Sequence, residues 1–153
     1  MLDEGLFEQV GEIVRGSVPR ELGELRLMVR RTGVKAWFGD PAPHREHYEA
    51  QAIGADLVTG ARELAIEIGF HAEYPKAADN DAALERLTGR QDGWRPALGD
   101  DAVAGPFIGP ANWRRISELW LDPDLSDGDI VFEIGVRLVD YMTALEPHRR
   151  TTA

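Results

Sequence analysis

Three of the four histidines, His44, His47 and His71, stand near Glu46, Glu49, Glu67 and Glu73 in a 153-residue chain that has no cysteine. Imidazole and carboxylate are the donors left for a divalent ion when thiolate is missing, so a metal site here has to be built from such a set. His71 and Glu73 are two residues apart and share one side of an extended segment. His44 and His47 are three apart across a bend set by Pro43, where the two side chains need not converge. One reading of this set is a metal-assisted hydrolase using His47, His71 and Glu67 or Glu73, in which the ion would activate water.

Other catalytic signatures are missing. No glycine-rich phosphate loop follows a strand, and Gly105 to Pro110 lacks the lysine and helix start that a phosphate cradle needs. The serines Ser17, Ser117 and Ser126 do not sit in a nucleophile elbow. Carboxylates abound, but the sequence singles out no general acid and base pair. Residues 122 to 133 place Asp122, Asp124, Ser126 and Glu133 where an EF-hand calcium loop has ligands, and so resemble that loop. The glycine that family needs at its sixth position is Asp127 here, with Gly128 one place late. A helix cap at Ser126 or Asp127 accounts for the same residues.

These side chains must be positioned by the elements around them. Leu6, Phe7, Val10, Ile13 and Val14 recur at helical spacing over 3–15. The period then becomes two: Leu25, Leu27 and Val29 alternate with Arg26, Met28 and Arg30, and after a turn at Arg31-Thr32-Gly33 the residues Val34, Ala36 and Phe38 alternate with Lys35 and Trp37. Segments 46–53 and 62–73 supply strands three and four, the latter with Leu64, Ile66, Ile68, Phe70 and Ala72 on one side. A second helix is expected from a cap at Asp79-Asn80-Asp81 to about Gly99, with a stutter at Gly89 and Gly93. A short edge strand at 105–110, a sixth strand at 113–121 and a helix at 127–146 stopped by Pro147 complete the chain, with 146–153 expected to fray. The pattern predicts one α+β domain, a mainly antiparallel sheet of about six strands with three helices in the order α-β-β-β-β-α-β-β-α. In element order alone this resembles the type III secretion chaperones.

Composition narrows the function classes. A net charge of −10 argues against nucleic acid, whose affinity rests on clustered Lys and Arg. It also argues against anionic membranes. The acidic N-terminus does not read as a secretory signal, which points to the cytoplasm, and the excess of arginine over lysine suggests a bacterial source. Strands one to four place Arg26, Arg30, Lys35, Trp37, His47, Glu49, Gln51, Glu63, Glu67, His71 and Glu73 on one face. A solvated face with cross-strand ion pairs is the simplest account. The sharper expectation is a recognition surface, with Trp37 as an exposed platform and His47, Glu67 and His71 as polar contacts, engaging a protein partner or small ligand without cofactor, in a possible homodimer. The pairing expected for strands three and four sets Tyr48 opposite Ile66 or Ile68, and hence His47 opposite Glu67 or Gly69.

Overall fold

The computed structural model describes residues 2–39 and 45–150. Its elements are α1 (Leu6–Ser17), a single 3-10 turn (Arg20–Leu22), β1 (Leu25–Arg30), β2 (Gly33–Phe38), β3 (Glu46–Gly54), β4 (Leu64–Ala72), α2 (Ala77–Thr88), α3 (Gln91–Leu98), β5 (Val103–Pro106), β6 (Arg114–Leu121) and α4 (Ile130–Arg150). The six strands form one antiparallel sheet in the order β1-β2-β3-β4-β6-β5, so the fold is α+β and β4 lies inside the sheet between β3 and β6.

Period two sorts the strands as the sequence predicts. Val34, Ala36, Tyr48, Ala50, Ile66, Ile68, Phe70, Ala72 and Ile116 are all 1% exposed or less and join the main core with Phe7, Val10 and Val14 of α1 and Ile134, Leu138, Tyr141, Met142 and Leu145 of α4. The helices therefore cover one sheet face, α1 against β1 and β2, α4 against β3 and β4. Between β4 and β6 the backbones approach closely at Gly69. A Cβ there would run into the Ile116 carbonyl and lie 2.6 Å from the Ser117 Cα.

Four expectations are corrected. The second helix is two helices, because the chain turns at Gly89 and Arg90 before α3 begins. It also starts at Ala77, with Lys76 and not an Asp or Asn at the cap position, because Asn80 is buried and spends its amide on Tyr74 and Asn112. Pro147 does not stop α4. It falls in the last turn, where only the Thr143 carbonyl loses its helical donor, and Arg149 and Arg150 beyond it are fixed by ion pairs to Glu146. The pairing of β3 with β4 is shifted from the expected one: His47 faces His71 and Tyr48 faces Phe70.

Candidate functional site

Over β3 and β4 the second face of the sheet is buried, while Met28 and Arg30 on the same face of β1 are exposed. His47, Glu49, Glu67 and His71 are all 2% exposed or less, and Glu73 is 8% exposed. Period two on adjacent strands explains the grouping: His47 and Glu49 project from β3, His71 from β4 and Glu73 from just past its end, to the side away from the helices. The pairing of His47 with His71 sets the two imidazoles side by side, with ring centroids 5.5 Å apart.

Four donor atoms converge there. His47 Nε2 lies 3.1 Å from Glu49 Oε1 and 3.4 Å from Glu73 Oε2. His71 Nδ1 lies 3.2 Å from each of the same two oxygens. A donor atom from each of these four residues falls within 4.8 Å of all the others. A tetrahedral ion with ligands at about 2.0 to 2.2 Å needs donors about 3.3 to 3.6 Å apart, and the four nitrogen–oxygen edges, 3.1 to 3.4 Å, are close to four of the six that such an ion requires. The donor chemistry, two imidazoles and two carboxylates, fits zinc and other first-row divalent ions.

Around the donors lies a second layer. The other nitrogen of His71, Nε2, is 2.8 Å from Glu67 Oε2, and Glu67 Oε1 in turn accepts from Gln51 Nε2 at 2.8 Å. Arg30 holds Glu49 Oε2 at 2.6 Å and Lys35 stands 3.8 Å from Glu73 Oε1. Glu49 and Glu73 thus each turn one oxygen to the centre and the other toward a cation. Histidines that bind metals commonly donate their remote N–H to a carboxylate, which fixes the tautomer and orients the ring.

The electrostatics follow from burial set against charge. Burial by itself disfavours charged His71, but the charge of Glu67 and hydrogen bonds to Glu49, Glu67 and Glu73 outweigh it and raise its pKa well above 6.5. His47 is raised in the same way, burial being overcome by hydrogen bonds to Glu49 and Glu73. The carboxylates respond in kind: burial opposes their charge, yet the imidazoles hold Glu49 and Glu67 below the usual range and Glu73 down to about 2. Both sets of shifts act in the same direction, favouring imidazolium and carboxylate forms within the buried cluster.

Not every residue read from the sequence takes the place expected of it. Trp37 is 4% exposed, so it offers no surface platform. The apolar residues flanking a strand indole can bury it on either face, which alternation does not reveal. Glu67 backs His71, and Glu49, named as a neighbour in the sequence, supplies the donor in its stead. Glu46 alternates to the helix side and accepts from Tyr74 and Arg86. His44 lies outside the described residues. The calcium-like segment is committed elsewhere: Asp122 accepts the backbone N–H groups of Arg62, Glu63 and Leu64, and Asp124 accepts from Ser126. The signal that could have revealed the full donor set is the repetition of His-x-Glu, at His47-Tyr48-Glu49 and again at His71-Ala72-Glu73, on strands that the pattern already makes neighbours.

No family model, no curated protein and no solved structure matches this chain.

Proposed function

We propose that this chain is a metal-binding protein that holds one divalent first-row transition ion, zinc fitting best, through His47 Nε2, Glu49 Oε1, His71 Nδ1 and Glu73 Oε2. The observation that carries this reading is the set of four near-equal edges between imidazole nitrogens and carboxylate oxygens. Hydrogen bonding alone accounts for them less well. Each nitrogen has one hydrogen at most but faces two oxygens at similar distance, whereas one ion satisfies all four contacts.

Charge supports the same reading. A divalent ion that displaces a proton from each imidazole leaves the net charge of the cluster unchanged. Arg30, Lys35, Glu67 and Gln51 are therefore equally suited to either state. The exchange costs the site no new buried charge, which is the usual obstacle to ion binding in a low-dielectric interior. The hydrolase reading of the sequence becomes narrower: four protein donors close a tetrahedral ion, so water activation there would require one carboxylate to give up its place.

The test is metal analysis of protein purified without an affinity histidine tag, followed by calorimetric titration of the chelator-treated protein with zinc. About one ion per chain is expected, lost in the double variant His47→Ala, His71→Ala. A wild-type protein that stays folded and takes up no zinc, manganese, iron or cobalt would leave the cluster as a buried ion-pair network.

A further inference from the structure

The loop that joins β5 to β6 lies over this face. Phe107 sets its ring edge-on against His71, with centroids 4.6 Å apart and planes at 84°, and Trp113 backs Phe107 at 5.5 Å. Phe107 is only half-buried, while His71 beneath it is wholly buried. The phenyl ring is therefore a layer between one donor imidazole and solvent. Its neighbour Ile108 packs on the small apolar group of Ile53, Val58 and Ala65 at the other end of the same face. Phe107 and Ile108 together cover a polar centre and an apolar end.

The loop is built to move more readily than the sheet below it. It springs from β5, a four-residue strand at the sheet edge. Pro106 and Pro110 have no N–H to give, and residues 109–112 are exposed. Within it the backbone is tied by Phe107 N to Trp113 O at 3.0 Å and Trp113 N to Pro110 O at 3.2 Å. Its far end is pinned, because the Asn112 carbonyl accepts from Asn80 and the Asn112 amide donates to Pro75. Segments with few buried contacts and exposed backbone hydrogen bonds open locally at a small fraction of the free energy of global unfolding. Three of the four donors, His47, Glu49 and His71, by contrast stand on the two most extensively paired strands, and Glu73 follows directly on β4.

We propose that the segment Phe107–Trp113 is the gate of the metal centre, with Phe107 as its leaf and Asn112 as its fixed end. Ions, and the small ligands that could reach a bound ion, enter when the Phe107 ring leaves His71. Phe107 therefore sets the size of what gains access while contributing nothing to coordination. This rests on the metal reading above.

The test measures how fast a cobalt-loaded protein gives up its ion to excess EDTA, followed by loss of the visible cobalt bands. In Phe107→Ala release is expected to be about tenfold faster or more, equivalent to about 1.4 kcal/mol less barrier, with stoichiometry still one ion per chain. Trp113→Ala, which leaves Phe107 unsupported, is expected to shift the rate in the same direction by less. Should Phe107→Ala fail to fold, Phe107→Leu keeps apolar volume without the planar cover and is expected to release faster than wild type. Equal release rates in a folded Phe107 variant and in wild type overturn the gate. A wild-type protein that never takes up cobalt or zinc overturns the metal reading, so the two failures are distinct.

Discussion

Glu67 is the residue that separates a metal site from a network of ion pairs. It touches no donor position but accepts from His71 Nε2 at 2.8 Å, leaving the Nδ1 lone pair to the centre. Glu67→Gln keeps an acceptor of the same shape and removes the charge, and Glu67→Ala removes both. Loss of such a remote carboxylate typically costs about 10- to 100-fold in metal affinity, so competition titration should rank wild type above Glu67→Gln and Glu67→Gln above Glu67→Ala. Equal affinities would mean that His71 needs no orienting partner. The titrating groups also set a pH dependence for the metal-free protein. His71 is raised above 6.5 on folding, so the stability it contributes is complete below about 6.5 and is lost as pH rises through the raised value. Glu73 is lowered from 4.5 to about 2, so its contribution is complete above 4.5 and is lost as pH falls toward 2. Urea denaturation of the metal-free chain is therefore expected to show greatest stability between about pH 4.5 and 6.5. Zinc affinity should run the other way, rising with pH because neutral imidazole is the ligand. Metal-free stability that climbs steadily from pH 6 to 9 would contradict a charged His71.

At the scale of elements, alternation is a local property and was legible: Leu64, Ile66, Ile68, Phe70 and Ala72 announce β4, and the strand is found at Leu64–Ala72. Register is not local. It depends on how the chain returns between strands, and the shift that brings His47 opposite His71 moves Glu67 from partner of His47 to support of His71. Alternation also separates two faces without saying which one is covered, so a polar face read as open is covered over β3 and β4, where Phe107 and Ile108 pack on it. One sequence position does tie register to the site. Gly69 stands between Glu67 and His71, where β6 comes too close for a side chain. Gly69→Ala should force β4 and β6 apart and cost about 1 to 3 kcal/mol in denaturant unfolding, the range for overpacking a close-packed interior. Zinc affinity is expected to fall with it. A neutral substitution would show that the two strands can separate without disturbing the donors.

For the whole molecule, the question is what keeps the β3 and β4 donors fixed from behind. Tyr48, between His47 and Glu49 on β3, points to the helix side and donates to Glu146 of α4 at 2.8 Å. Glu146 is wholly buried and also accepts from Arg149 at 2.7 Å and Arg150 at 2.9 Å, and Arg150 reaches on to the Leu22 carbonyl and lies over Phe38. The last turn of α4 thus joins the strand that carries His47 and Glu49 to the segment preceding β1, and the helix runs on past Pro147 to do so. Removing one side of a buried, paired charge leaves its partners uncompensated and costs about 3 to 5 kcal/mol. Glu146→Ala takes the acceptor from Tyr48 but leaves Arg149 with Glu46 and both arginines partly exposed, so its loss should fall below that range, whereas Glu146→Gln keeps the tyrosine bond and should lose less still. Zinc then distinguishes a loosened scaffold from a damaged site. If the donors stay in place, saturating zinc adds the same stabilisation to wild type and Glu146→Ala, because linkage depends only on ion concentration and affinity. If β3 shifts once Tyr48 is released, the increment shrinks with affinity. Denaturation with and without zinc measures both quantities on the same proteins, and a cost below about 1 kcal/mol for Glu146→Ala would place these ion pairs in the weak class typical of exposed surfaces.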